Sequence, residues 1–261
     1  MKQTLILWLS AFLITILSGY LENLLSPYYP ITGTIGINGK KISYKFDKIF
    51  RGNENFPVLI RTDLSELKGI LWWQNISNKS ERNSIQMKAG KEILYAEIPK
   101  QPAKSIVKYE IELSAKRNQP PAEKSNDSTY SLPQGQIKFL GEVPPMIMFL
   151  FYFSLFGGLL LSTRTGLEYF NENQKIKKLS LFTVTFFFVL TIAVNPLKKS
   201  YELEAINKTI PPITELSDYQ SLFLLLVWIT GMVLIFKVKN PRLTALVLSV
   251  ITTLIFLFIT E

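Results

Sequence analysis

Five stretches of uncharged apolar residues punctuate the chain, at Thr4–Leu21, Met146–Thr163, Leu179–Pro196, Tyr219–Phe236 and Leu243–Thr260. A helix needs about 20 residues, within a usable range of about 17–25, to cross a hydrocarbon layer about 30 Å thick. Each stretch is just long enough. LFTVTFFFVLTIAV, within the third, has none of the polar stripe that a soluble helix of that length carries. These segments therefore read as membrane spans.

Between the first and second spans the period changes to two. TGTIGI and KISYKF flank Asn38-Gly39, a strong two-residue hairpin signal. FPVLIRT, GILWWQNI, KEILYAEI, SIVKYEIEL and QIKFLGEVP follow, separated by Gly, Pro, Asn and Ser. In VKYEIEL, Val107, Tyr109, Ile111 and Leu113 share one face, and Lys108, Glu110 and Glu112 the other. Such regular strands without a helical pattern predict an antiparallel β-sandwich. The stretch Gln119–Gly135 reads as a polar, Pro-rich loop. The predicted fold class is thus an α+β membrane protein: an anchor (1–25), an inserted external sandwich (26–143) and a four-helix block (144–261).

Loop charges orient the spans. Lys2, then Arg164, Lys175, Lys177 and Lys178, then Lys237, Lys239 and Arg242 all fall on one side. The opposite connector sets Lys198, Lys199 and Lys208 against Glu202, Glu204, Glu215 and Asp218. This predicts a multi-pass membrane protein, N-terminus cytoplasmic, with residues 26–143 and the C-terminus outside. The first span has a one-lysine n-region and no A-x-A-like site, so it reads as an uncleaved anchor.

Composition narrows the chemistry. The chain of 261 residues carries a net charge of +9, with its positives scattered, which argues against nucleic acid. It has neither histidine nor cysteine, which excludes disulfides, a lipoprotein thioether and the commonest haem and metal ligands. There is no Walker A loop, GxSxG or H-E-x-x-H motif. No cofactor is expected; the expected partners are membrane lipids and other subunits of a membrane complex.

Several residues stand out as candidates. Trp72 and Trp73 are adjacent on a strand, so one enters the core and the other reaches the surface, where it offers a platform to a partner. Glu110 and Glu112 lie about 7 Å apart on one face, and read as a wet strand face rather than a catalytic pair. Gly157 and Gly158 permit close helix packing. Arg164 and Glu168, an i,i+4 pair, read as an interfacial anchor snorkelling to lipid phosphates, joined by Lys175, Lys177 and Lys178. In the connector Leu197–Leu216, split by Pro211-Pro212, the stretch Lys198–Lys208 predicts a surface helix. It would present Tyr201, Ala205 and Lys208, or Leu203, Ile206 and Ile210. The Asn75, Asn78, Asn126 and Asn207 sequons are expected by chance in so Asn-rich a chain.

KEILYAEIPKQPAKSIVKYEIELS resembles the strand, Pro-rich corner and strand that close bacterial fibronectin-III/immunoglobulin-like modules. With GEVPP, the apolar span after it and STRTGLE, the chain resembles an uncharacterised family of bacterial envelope membrane proteins. That resemblance implies an external immunoglobulin-like sandwich joined to a four-helix membrane block, and brings no established activity. Its members carry a histidine early in the second span and a His-Asp motif before the fourth. Here those places read Met146-Ile147-Met148 and Glu215-Leu216-Ser217-Asp218, so no histidine-dependent role carries over.

Three functions compete. The first is a non-enzymatic structural or adaptor protein, an accessory subunit of an energy-transducing or transport complex. The second is a small-molecule or lipid transporter, which needs a polar path lined by residues such as Thr183, Thr185, Thr191, Thr230 and Ser249. The third is an envelope glycan- or lipid-modifying enzyme using Glu215 and Asp218. Uncharged spans without His or Cys favour the first.

Overall fold

The computed structural model describes residues 2–62, 64, 67–78, 80–115, 128–171, 175–205, 213–216 and 218–259. The chain is α+β and divides into two compact units, residues 28–142 and the remainder, 1–27 with 143–261. The first helix, expected as a separate anchor, belongs to the same unit as the other helices.

That helix, α1, spans Lys2–Leu25. The sheet unit follows, with β1 (Ile31–Ile37), β2 (Lys40–Phe46), β3 (Ile49–Arg51), β4 (Phe56–Arg61), β5 (Lys68–Asn75) and β6 (Asn83–Gln86). Next come β7 (Lys88–Ala89), β8 (Ile93–Ile98), β9 (Ile106–Ala115), β10 (Ser128–Ser131) and β11 (Gly135–Leu140). One sheet runs β1-β2-β4-β8-β7; the other runs β3-β11-β9-β5-β6, with β10 also on β9. Inward side chains of both sheets form a single sandwich-like core.

Asn38 and Gly39 have φ of 50° and 79°, as a type I′ turn requires, and set the Ile37↔Lys40 register of the β1–β2 hairpin. Strand β9 alternates as its sequence implies: Val107, Tyr109, Ile111 and Leu113 are buried and Lys108 is exposed. Two expectations need correction. The sheets are not wholly antiparallel, because β3 lies parallel to β11. The stretch expected as a loop contains β10, whose Ser128–Ser131 pairs with the far end of the long β9. Short strands like β3, β6, β7 and β10 carry too few residues to show a period and are recruited by a longer neighbour.

The helical unit resumes with α2 (Pro145–Leu167), a 3-10 turn (Glu168–Phe170), α3 (Ile176–Val189), a π segment (Leu190–Val194) and α4 (Asn195–Glu202). It ends with α5 (Ile213–Leu216), α6 (Tyr219–Lys237) and α7 (Pro241–Phe258). Among the described residues five helices are long and apolar enough to cross a membrane: Gln3–Leu25, Pro145–Phe170, Ile176–Glu202, Tyr219–Lys237 and Pro241–Phe258. Pro145 begins α2, where its missing N–H costs nothing. The third span does not stop at Pro196 but continues to Glu202. A proline ring collides with the carbonyl four residues back in a regular helix; the π segment just before Pro196 widens the turn and lets the helix pass.

The seam between helices is filled by Phe187, Leu190, Leu224, Trp228, Ile235 and Ala245, all fully buried. Gly157 and Gly158 lie against the rings of Phe186 and Phe187, where a Cβ would collide. Trp228 Nε1 donates to Thr252 Oγ1 at 2.7 Å, and Thr252 in turn donates to the Leu248 carbonyl at 2.7 Å.

In the sheet unit, Tyr109 is 1% exposed, and its hydroxyl has no hydrogen-bond partner among the described residues. Burial first, and the charge of Asp47 second, push its pKa upward. An ordinary phenol ionises near pH 10. The sign follows: the titration of Tyr109 leaves stability unchanged below about pH 10, and stability is lost above it, because only the unfolded chain ionises readily. The midpoint of unfolding, followed by tryptophan fluorescence, should therefore fall between about pH 9.5 and 11.5, and fall less in Tyr109→Phe. Parallel profiles for the two proteins would contradict this account.

Candidate functional site

Helix α2 runs one turn beyond Thr163, and that turn changes the reading of the second span. Arg164 lies inside the helix, and Glu168 opens the 3-10 turn four residues later. Both side chains are enclosed by protein, 2% and 0% exposed, with Arg164 Nη1 2.6 Å from Glu168 Oε1. The expected anchor snorkelling to lipid phosphates is thus not what the structure contains. Nor are the spans free of ionisable groups, which held only for a span ending at Thr163. The pair turns inward because the other helices provide it with partners that lipid does not.

Glu168 is well supplied. Its carboxylate accepts from Asn171 Nδ2 at 3.0 and 3.2 Å and from the backbone N–H of Lys175 at 2.9 Å. It therefore closes the turn after α2 and caps the N-terminal end of α3, where negative charge is favoured. Arg164 is less completely satisfied. Its Nη1 contact with Glu168 lies off the hydrogen-bond direction, and Nε has no acceptor among the described residues. Its guanidinium carbon sits 5.4 Å from the centre of the Trp8 ring, a cation–π contact that ties α1 to this cluster. Gln3 Nε2 donates to the Phe170 carbonyl at 2.8 Å, a second tie from α1. Lys175, Lys177 and Lys178 are exposed, and Lys177 Nζ lies 5.2 Å from the Phe236 ring centre.

A second polar cluster joins α3–α4 to α6. Asn195 Nδ2 lies 2.8 Å from Asp218 Oδ2 and 2.7 Å from Ser221 Oγ. Asp218 is the N-cap of α6, accepting from the Ser221 N–H at 3.2 Å, and Thr191 Oγ1 donates to the Ser221 carbonyl at 3.0 Å. Asp218 thus serves a helix end rather than a cleft. Tyr201 is half-buried in α4, which is continuous with the third span and not a separate surface helix. Ile206 and Ile210 lie outside the described residues, as do Lys208 and the Pro211-Pro212 pair.

In the sheet unit, Trp73 packs against the core, whereas Trp72 points outward. Trp72 stands between Glu110 on β9 and Ser84 on β6. The Arg82 guanidinium lies 4.8 Å from the Trp72 ring centre and pairs with Glu110 at 2.7 Å. Gln134 Nε2 donates to the other Glu110 oxygen at 2.9 Å. Glu110 is therefore engaged with its neighbours on this face. Arg82 and Trp8 had no signal of their own in the sequence; only register and helix packing bring them to these positions.

Among the described residues no group of three His, Asp or Glu side chains comes together as a metal site. No protein-family model, no curated protein and no solved structure matches the chain.

Removing one member of a buried ion pair strands the other charge, at a cost of about 3–5 kcal/mol. Arg164→Ala or Glu168→Gln alone should therefore lower the thermal midpoint of the detergent-solubilised protein sharply. Arg164→Met combined with Glu168→Gln, which keeps an acceptor for the Lys175 N–H, should recover most of the loss. Equal losses in the single and double variants would remove the ion pair from the explanation.

Proposed function

We propose that this protein is a non-enzymatic structural or adaptor subunit of a bacterial inner-membrane complex, its helices docked among other membrane subunits and its sandwich contacting a partner outside. One observation carries this reading: the hydroxyls that a transport path would need are bonded to their own helices, held at helix contacts or turned outward. Thr183 and Thr185 donate to the Leu179 and Leu181 carbonyls of their own helix. Thr191 is tied to Ser221, Thr230 is exposed on the outer face of α6, and Ser249 packs where Gly166 approaches α7. These five do not converge on a path, which counts against the transport reading. The capping role of Asp218 counts against the enzymatic one.

On this reading the sandwich is immunoglobulin-like and extracytoplasmic, and the N-terminus is cytoplasmic. The outward Trp72, stacked under Arg82, supplies an aromatic contact of the kind that dominates interfaces. Gentle extraction from native membranes should bring other membrane subunits with the protein, and Trp72→Ala should weaken their retention. Recovery of a lone monomer from every mild detergent would defeat the proposal. Because the chain has no cysteine, single cysteines test the orientation. Lys104→Cys should react with an impermeant maleimide on intact spheroplasts, and Lys239→Cys only after lysis. The reverse pattern would invert the topology.

A further inference from the structure

The sheet unit contains a crevice that the adaptor reading does not use. Strand β4 pairs with β8 along its whole length, from Phe56↔Ile98 to Arg61↔Ile93. On its other side it meets β2 only at Ser43↔Arg61 and Tyr44↔Ile60. Beyond Tyr44 the two strands part. The cause is topological: β2 ends at Phe46, and the chain crosses to the other sheet, where β3 pairs with β11. Pro57, which has no N–H to offer a neighbour, falls where β4 has no partner on its β2 side, an edge where a proline is tolerated.

The parting opens a cavity of about 480 Å³ between the sheets, within the range of small-molecule sites. Its floor is aromatic. Phe46 packs edge-on to Tyr109 at 5.4 Å, and Phe50 edge-on to Phe56 at 5.3 Å. The Tyr109 ring is held across the backbone of Gly135 on β11, where any side chain would displace it. Tyr109 lines the cavity, and its hydroxyl is buried and has no hydrogen-bond partner among the described residues; as a phenol it is a donor at neutral pH. Pro57 and Leu59 form an apolar lip. Lys45 and Arg61 stand at the mouth with Asp47, which pairs with Lys45 at 3.1 Å. The unit as a whole is basic, since residues 28–142 hold 18 Lys and Arg against 12 Asp and Glu, a balance of 18 − 12 = +6. Such a field draws anions.

We infer that this crevice binds a small aromatic carboxylate, its ring among Phe46, Phe50 and Phe56, an oxygen accepting from the Tyr109 hydroxyl, and its charge facing Arg61 and Lys45. The aromatic floor favours a flat ring over a branched chain, since edge-to-face contacts extend those already there. The unpaired phenol asks for an acceptor, and the mouth for a negative charge. This inference stands apart from the adaptor role: a subunit of a complex and a free-standing protein could hold such a ligand equally.

The test uses the full-length protein in lipid nanodiscs, with empty nanodiscs subtracted, titrated calorimetrically with 3-phenylpropionate. The expected result is saturable one-to-one binding. Tyr109→Phe should weaken it about three- to tenfold, the worth of one neutral hydrogen bond. Arg61→Gln should weaken the acid by a similar factor but leave 3-phenylpropionamide unaffected. Leu59→Trp, an exposed substitution that fills the mouth, should abolish binding while thermal unfolding shows the sandwich intact. No saturable binding by the wild type up to about 10 mM would overturn the inference. So would a Tyr109→Phe protein that binds as the wild type does. Equal affinity for acid and amide would overturn the anionic assignment.

Discussion

A pair of opposite charges sealed from water must have its remaining hydrogen-bonding capacity met by protein, since neither solvent nor lipid can supply it. In this protein the Arg164–Glu168 pair brings four parts of the helical unit to one place. The end of α2 provides Arg164, the 3-10 turn opens with Glu168, Asn171 after that turn and the N–H of Lys175 just before α3 reach the carboxylate, and α1 lays Trp8 over the guanidinium. None of these groups would hold its position for apolar packing alone, because side chains of similar volume are interchangeable in a greasy seam. The charge pair sets register where hydrophobicity sets only proximity. The second polar cluster, around Asn195 and Asp218, does the same for α3–α4 and α6.

The sheet unit is organised by its longest strand. Strand β9 pairs with β5 over eight residues and also takes β10 and β11, so its alternating face determines which side chains meet inside. Trp73, Leu71 and Gly69 oppose Tyr109, Ile111 and Leu113 inside, while Trp72 opposes Glu110 outside. The two tryptophans thus have different fates although they are neighbours in sequence. The same arrangement leaves the other sheet to accommodate the departure of β2, and the crevice is where that accommodation fails to close.

Much of this was legible in the residues themselves. The apolar runs marked all five long helices, Asn38-Gly39 marked the hairpin, and the alternation of VKYEIEL told inside from outside. What was not legible depended on distance in sequence. A span ended at Thr163 by hydropathy because Arg164 is charged, and nothing local indicates that Glu168, Asn171 and Trp8 will shelter that charge. Short strands such as β3 and β10 take their identity from partners far along the chain. The third apolar run ends at Pro196 because Lys198 and Lys199 follow it, and the change of helical pitch that carries the helix on to Glu202 is invisible to hydropathy.

That change of pitch has a consequence for how the chain tolerates length variation. A π segment is equivalent to one residue inserted into an α-helix, and each residue turns a regular helix by about 100°. Thr191, inside the segment, and Asn195, just after it, both reach the first turn of α6. The wide turn absorbs that extra rotation, so the residues beyond it point as a regular helix one residue shorter would point them. Loss of one residue from Leu190–Val194 would restore a regular spiral without re-aiming α4, and Pro196 would meet the carbonyl it now avoids. The segment is a slack turn that stores one residue, and the proline makes that stored residue necessary.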